Sequence, residues 1–343
     1  MKIVFLNIYQ DKARRGVETF VFELSRRLAQ DNSVDIISGG DIDIPVWHKS
    51  LLWRVFLDPN SLAIAWFTLK NVSKIWKAKY DIVIPINGGW QPAIIRIVTW
   101  LYGGRIVISG QSGIGWHERN NLWCLPDAFV ALSLYAETWA KKANPFIHVV
   151  KISNGVDLNK FTFKGQTLKV SVKRPTVLAV GAFTEQKRMD LAIKAVSKLK
   201  NVKLLVVSGG GDLKNKIYDL GIKNLGDRFE MISVPYEKMP DIYRRTDVFT
   251  LPSASSEAFG NVLVEAMASG LPVVATDDPI RKEIIGDAGI LVDPTNIEEY
   301  AKALQKTLNI NWGEKPRHQA EKFSWDEIAL KYEELFKTLL NKK

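Results

Sequence analysis

Glu257 and Glu265 are separated by seven residues within Leu251–Ala275, a run that reads as strand end, small-residue loop, helix, glycine stop and next strand. The helix starts near Gly260 and stops at Gly270, glycine being the favoured residue just past a helix end. Parallel sheets bind ligands beyond the carboxyl ends of their strands. A helix start placed there offers unpaired N–H groups and the positive end of a dipole to an anion. Gly260 lets a phosphate approach the backbone closely, and Phe259 and Asn261 flank it. Two carboxylates at this spacing can touch different parts of one bound molecule. The same spacing also suits a surface Glu and a helix-face Glu, each solvated.

A diphosphate needs cations as well. Glu185-Gln-Lys187-Arg188 follows another strand end, and Lys187 and Arg188 can neutralise phosphate oxygens through charge-assisted bonds. An exposed loop with ordinary charges is the plain alternative. Ser208-Gly209-Gly210-Gly211 also follows a strand, where Gly209 would line a ligand pocket. Gly88-Gly89 and Gly103-Gly104 read as turns. The chain has no G-x-G-x-x-G and no P-loop, which argues against a dinucleotide cofactor. It has no H-E-x-x-H, no cysteine pair and no clustered histidines, so no zinc site is expected.

These residues need a scaffold that alternates strands and helices. In the first part, strands are expected at Lys2–Asn7, Val34–Ser38, Asp81–Ile86, Arg105–Ser109 and Ala128–Leu132, with a helix over Val17–Leu28. The pattern restarts at Pro175, with strands at Thr176–Val180, Lys203–Ser208, Phe229–Ser233, Asp247–Leu251, Pro272–Thr276 and Gly289–Val292, and a helix over Asp190–Leu199. Such alternation predicts two parallel sheets covered by helices on both faces. The join falls near Asn154–Arg174. Ser324-Trp325-Asp326-Glu327 has the capping-box pattern that opens a last helix, running to about Leu340.

Residues 47–79 carry Trp47, Trp53, Trp66 and Trp76 among Lys and Arg, broken by Asp58-Pro59-Asn60. The second half has Leu62, Ala65, Trp66, Leu69, Val72, Ser73 and Trp76 on one stripe. That stripe suits packing on a sheet, and it also suits a membrane surface.

The chain has 343 residues, enough for two domains, with 46% hydrophobic and 24% charged residues, so disorder is not expected. The net charge is +10, shared evenly by the two halves, which suits phosphate-bearing ligands, nucleic acid or an anionic membrane face, or simply serves solubility. Cys124 is the only cysteine, and the apolar run Ile3–Leu6 is shorter than a signal peptide's roughly 7–15. No stretch approaches the ~18 apolar residues of a membrane span. A reducing, cytoplasmic setting is expected.

Several of these motifs together resemble glycosyltransferase family 4, also called glycosyltransferases group 1. They are Glu257 and Glu265 at the family's spacing, the run Glu265–Ala275 (E-A-M-A-x-G-L-P-V-V-A), and Lys187 in the first loop of the second half. Ser153–Asp157 (S-N-G-V-D) and Phe323–Trp325 (F-S-W) add to them, and the pieces span about residues 2 to 340 in order. The resemblance implies a GT-B fold: two doubly wound Rossmann-like domains facing a central cleft. The expected boundaries are 1–153 for the acceptor-binding domain and 154–321 for the nucleotide-sugar domain, with 322–343 a helix crossing back to the first.

It also implies a retaining transferase that moves a sugar from a nucleotide-diphosphate donor, UDP- or GDP-linked, to a hydroxyl acceptor, without a metal or other cofactor. The acceptor would be a glycan or a lipid-linked intermediate of the cell envelope. Peripheral contact with the inner membrane face fits such an acceptor, and nucleic acid is not an expected partner. Glu265 would bond the donor's ribose hydroxyls and Glu257 would lie by the donor sugar. The N–H groups from Phe259 to Asn261 would face sugar and diphosphate, and Lys187 with Arg188 would hold the departing diphosphate.

The sequence departs from the family's pattern at three places. Ala182 follows Gly181 where the family has Arg. Gln111 stands where the family often has His, and His117, six residues on, is a candidate for that role. Only Gly16 remains of the family's N-terminal Gly-Gly-x-Glu, in Arg15-Gly16-Val17-Glu18, on the acceptor and phosphate side. The rival expectations are a nucleotide-sugar hydrolase or epimerase on the same fold, and a non-catalytic sugar-nucleotide binding protein.

Overall fold

A computed structural model describes residues 1–10, 12, 16–40, 55–164 and 175–341. Arg15, Trp47, Trp53 and the part of the join from 165 to 174 lie outside the described residues. The chain forms two compact units. One comprises Met1–Asn154 with Trp325–Lys343, the other Gly155–Ser324. The sequence reading had set these limits at 153 and 321.

The first unit runs β1 (Lys2–Asn7), α1 (Gly16–Leu28), β2 (Ser33–Ser38), α2 (Pro59–Ala78), β3 (Ile82–Pro85), α3 (Trp90–Tyr102), β4 (Arg105–Ser109), α4 (Trp116–Trp123), β5 (Ala128–Ala131), α5 (Leu134–Ala143) and β6 (Val149–Lys151). The strands form one parallel sheet in the order β2-β1-β3-β4-β5-β6. The inner strands β3, β4 and β5 are short and mostly apolar because helices cover both faces, whereas the edge strand β2 is half polar and largely exposed. Their order reverses between β1 and β3, the place where such sheets bind ligands.

The second unit runs β7 (Thr176–Val180), α6 (Met189–Ser197), β8 (Lys203–Val207), α7 (Lys214–Leu225), β9 (Phe229–Ile232), α8 (Met239–Tyr243), β10 (Val248–Leu251), α9 (Asn261–Ala268), β11 (Val273–Thr276), α10 (Pro279–Ile285), β12 (Gly289–Val292), α11 (Ile297–Asn309) and α12 (Lys315–Glu321). Its parallel sheet has the order β12-β11-β10-β7-β8-β9, the doubly wound Rossmann order with the reversal between β7 and β10. Val177, Ala179, Leu204, Val206, Val248 and Val274 fill one face of this sheet against α6, α7 and α11.

After α12 the chain returns to the first unit as α13 (Trp325–Asn341). Trp325, Ile328, Tyr332, Leu335, Phe336 and Leu339 recur at helical spacing and pack with Phe20, Val21 and Leu24 of α1 on one face of the first sheet. Phe20 touches both Trp325 and Tyr332 with ring centroids about 6 Å apart. The last helix therefore completes the core of the unit in which the chain began.

α2 corrects the sheet-packing reading. Ser61, Ile64, Phe67, Thr68 and Ile75 are the buried residues of the helix. Leu62, Trp66, Leu69 and Trp76 point outward and are exposed. The helix is apolar on both sides, so periodicity alone could not say which stripe meets the sheet.

Candidate functional site

The loops after β7 and β10 meet beyond the strand ends where the second sheet reverses. After Val180 the chain turns through Gly181 and makes a single 3-10 turn at Glu185–Lys187. Arg188 follows in the left-handed region (φ 46°, ψ 42°) and leads into α6. A non-glycine residue there costs about 1–2 kcal/mol. The Arg188 side chain offsets that cost: its Nε donates to Pro252 O at 2.8 Å and its Nη2 to Ser253 O at 2.9 Å. Ala254 N donates to Gln186 O at 2.8 Å, and the Gln186 amide donates to Ser256 Oγ at 3.2 Å. The two loops are thus fastened to each other on adjacent strands.

This fastening brings Lys187 to Glu257. The Lys187 Nζ donates to a Glu257 carboxylate oxygen at 2.6 Å, and the two side chains are 19% and 15% exposed. The Lys187 stem lies against Gly181. A half-buried ion pair at a sheet's reversal point holds a cation in a fixed place, which is what a bound diphosphate requires. Arg188 is not aimed at solvent in the same way. Two of its guanidine nitrogens are committed to the β10 loop, so its first role is to position that loop.

A second, fully buried guanidinium supports the same loop. Arg281 of α10 donates from Nη2 to Ala254 O at 2.7 Å, and its Nη1 lies 2.6 Å from a carboxylate oxygen of Asp278. That contact lacks the direction of a hydrogen bond. Three successive carbonyls, Pro252 to Ala254, therefore face two arginines. The Asp278 side chain caps α10, accepting from Ile280 N and Arg281 N at 3.0 Å, and sequence reasoning missed Arg281.

Gly260 follows Glu257 and Phe259. Its φ of 85° and ψ of 66° are left-handed, and a Cβ there would come within 3.2 Å of Leu251 and 3.1 Å of Leu263. Only glycine takes this conformation without strain. Phe259 is buried and packs edge-on against Phe323 at 5.8 Å. Asn261 begins α9, so the N–H groups at its start lie beside the loop that carries Glu257, and one of them, Leu263 N, donates to Gly260 O at 2.8 Å.

Glu265 is one turn further along α9 and almost wholly buried. Its carboxylate oxygens accept from Tyr236 OH at 3.0 Å and from Tyr243 OH at 2.9 Å. Burial first, and the charge of Glu265 next, push the Tyr243 hydroxyl well above its usual range, so it stays a donor. The two tyrosines thus hold the Glu265 carboxylate in a fixed orientation. Tyr236 follows β9 and stacks beneath the Lys160 ammonium, 3.8 Å from the ring centre. Sequence reasoning missed both tyrosines, which lie 29 and 22 residues from their partner.

Gly209 lies open in the loop after β8, with nothing near the place of a Cβ. Gly211 is the constrained glycine of that loop: at φ 141° its missing Cβ would fall 2.6 Å from Phe183 backbone atoms. Phe183 N donates to Gly210 O at 3.0 Å, joining the loops after β7 and β8. Ala182 is exposed between them.

The remaining candidates belong to the first unit. Gly16 opens α1. Gln111, after β4, exchanges amide hydrogen bonds of 2.9 Å with Asn154, and its Nε2 also donates to Ser109 Oγ. Gln111 thus pins the end of the unit rather than pointing into open space. His117 packs edge-on against Phe56 at 5.7 Å and lies beside Gly88. Burial lowers its pKa, which favours the neutral ring at pH 7.

Its neighbour Glu118 is the titratable group the sequence did not reveal. It is fully buried, accepts from Ser112 N at 2.8 Å and Asn121 Nδ2 at 2.9 Å, and is pushed up to about 7 by burial. The only signal was a Glu directly after the candidate histidine.

A cavity of about 290 Å³ lies at the opposite end of the second sheet, lined by Phe163, Arg244, Gly270 and Arg317 among others. It is remote from Lys187 and Glu257. Among the described residues no three His, Cys, Asp or Glu side chains are grouped to hold a metal ion, and no helix is long and apolar enough to cross a membrane.

Residues 161–324 match the family model described as Glycosyl transferases group 1. An uncharacterized glycosyltransferase of Methanocaldococcus jannaschii is 32% identical over 225 residues, covering 58% of this chain and 56% of its own. A phosphatidyl-myo-inositol mannosyltransferase of Mycobacterium tuberculosis is 33% identical over 183 residues, covering 51% and 48%. The chain thus spans about half the length of these two curated relatives. The Anabaena protein HepE, solved with UDP-glucose, superimposes with a TM-score of 0.76 at 20% identity, over 98% of this chain and all of its own. At that identity the likeness carries the fold alone, and the fold is GT-B.

Proposed function

The chain belongs, through residues 161–324, to the glycosyl transferases group 1 family, and on that premise we propose that it transfers a sugar from a nucleotide-diphosphate donor to a hydroxyl acceptor with retention at the anomeric carbon. The observation that carries this reading is the Lys187–Glu257 pair at 2.6 Å, beside the start of α9 and at the reversal of the second sheet. The donor is UDP- or GDP-linked, and HepE, of the same fold and solved with UDP-glucose, supports the first of these. The mannosyltransferase relative is named for a phosphatidyl-myo-inositol acceptor, which supports a glycolipid or envelope glycan as acceptor. The lone cysteine fits work in a reducing, cytoplasmic setting.

In the reaction the bond between the anomeric carbon and the diphosphate oxygen breaks, and the acceptor oxygen bonds to that carbon from the same face. Negative charge grows on the leaving diphosphate, and the acceptor hydroxyl passes its proton to the departing phosphate oxygen. Lys187, held in place by Glu257, and the N–H groups at the start of α9 meet that charge. Fixed donors of this kind typically lower the barrier by about 3–4 kcal/mol each. Arg188 and Arg281 keep the β10 loop in shape. Glu265 takes the ribose hydroxyls, with Tyr236 and Tyr243 fixing the carboxylate.

The test measures nucleotide release from a panel of UDP- and GDP-sugars, with and without a polyprenyl-phosphate-linked sugar or phosphatidylinositol, and the anomeric configuration of the product by proton NMR. Release that requires acceptor, with retained configuration, is expected. Equal release without acceptor would make the protein a hydrolase, and an inverted product would remove the same-face step.

A further inference from the structure

The outward faces of α2 and α3 are apolar where a solvent-facing helix is ordinarily polar. Both helices set their buried sides, Ile64, Phe67 and Ile75 of one and Ile95 and Val98 of the other, on the same core cluster. They pack side by side, and Trp76 of α2 meets Tyr102 of α3 edge-on at 6.1 Å. Their opposite sides therefore form one surface. On α2 it is built from Leu62, Trp66, Leu69 and Trp76, spaced for a single stripe, with Trp66 58% exposed. On α3, Trp90, Ile97 and Leu101 make a second stripe, and Trp100 beside it is 72% exposed. The other helical layer of the same unit is more polar: α13 turns Asp326, Glu327, Lys331, Glu334 and Lys337 to solvent, and its exposed apolar residues are the scattered Leu330 and, on α1, Phe22. Monomeric proteins rarely leave a contiguous apolar area of this kind uncovered.

The charge around the face says what covers it. Neither α2 nor α3 contains an acidic residue. Lys70, Lys74 and Lys77 rise on one flank of the α2 stripe, Lys79 ends the helix, and all four are exposed without an ion pair among the described residues. The Lys70 ammonium lies over the Trp66 ring at 5.2 Å. Arg96, the basic residue of α3, is turned inward to Asp127 at 2.8 Å. Exposed tryptophans with aliphatic residues beside them, bordered by lysines and free of carboxylates, match the headgroup region of an anionic bilayer. There, indole rings take the interface, aliphatic groups enter the acyl boundary and ammonium groups meet lipid phosphates. A second protein copy would bring lysines against lysines.

We infer that the α2–α3 face docks the protein onto an anionic phospholipid surface, lying on the membrane without crossing it. The inference does not depend on the donor chemistry, because every residue it uses belongs to the first unit.

The experiment is flotation of the full chain with vesicles of phosphatidylglycerol or of phosphatidylcholine, at low and high salt. Flotation with phosphatidylglycerol vesicles, weakened by salt and by their replacement with phosphatidylcholine, is expected. A lysine near an anionic surface is worth about 1 kcal/mol, or about 5-fold in partitioning. The triple change Lys70→Ser, Lys74→Ser, Lys77→Ser should then lower partitioning by about two orders of magnitude. Leu69→Glu with Trp100→Glu should abolish it, and these positions are exposed enough to leave the thermal melt unchanged. Equal flotation of the Glu variant, or no flotation of the wild type, overturns the proposal. So does a wild-type dimer in sedimentation velocity that this variant converts to monomer with no vesicle binding in either form.

Discussion

Lys187 and Glu257 show how the site is assembled from single residues. They are 70 positions apart in sequence, yet the pair closes to 2.6 Å because Arg188 and Gln186 tie one loop to the other. Lys187→Ala should lower turnover by about 10²-fold or more, by loss of one charge-stabilising donor, and steady-state kinetics would check it. Turnover near the wild-type value would remove Lys187 from the mechanism.

Glu118 supplies a separate test of burial. Its folded carboxyl titrates at about 7 against an ordinary 4.5. Between those values the native state binds the proton that the unfolded chain has released, so its contribution to stability is most favourable below about 4.5 and declines as pH rises to about 7. Glu118→Gln should flatten that decline. Urea unfolding at a series of pH values would show it, and an unchanged pH slope would contradict the burial argument.

The residue types were legible in the sequence, and their partners were not. Glu257, Glu265 and Lys187 were candidates by spacing and by nearness to strand ends, and the family resemblance set them above ordinary solvated charges. Tyr236, Tyr243 and Arg281 did not, because a hydrogen bond across many residues leaves no local pattern.

At the scale of elements, the strands were the most readable feature. A parallel strand covered on both faces is a continuous apolar run, and β1, β4, β7 and β12 start and stop where those runs do. β6 was not foreseen, since three residues ending in Lys151 give no run to recognise. α2 was foreseen as a helix and turned the wrong way round, because two apolar stripes share one cylinder and only the sheet decides between them.

The start of α9 is the element on which the donor reading rests. Gly260→Ala should destabilise the protein by about 1–2 kcal/mol, from the left-handed backbone, with close contacts to Leu251 and Leu263 adding to it. It should also weaken nucleotide binding by shifting the N–H groups. Thermal melting with a nucleotide titration would check both effects, and a variant with wild-type stability would contradict the glycine argument.

At the scale of the whole molecule, alternation of strands and helices predicted two doubly wound sheets, and both are present, each in one of the two common orders of such folds. The return of the last helix followed from the family resemblance and not from periodicity, since an amphipathic helix does not announce which core it joins. Trp325 is buried in the first unit's core while Ser324, one residue before it, pairs with Val156 in the second. Trp325→Ala should therefore cost about 3–5 kcal/mol, and removing residues 325–343 should leave the first unit unable to fold. Expression and circular dichroism of the truncated chain would show this, and a soluble, cooperatively melting product would contradict it.

The central claim is that the second unit holds a nucleotide diphosphate between Lys187 and Glu265. Calorimetric titration of the purified full chain with UDP, GDP, ADP and dTDP, without added metal, tests it most directly. Binding of one of the four at micromolar strength, weakened by Glu265→Ala, is the predicted result. Failure of all four to bind, or binding untouched by Glu265→Ala, would contradict the account.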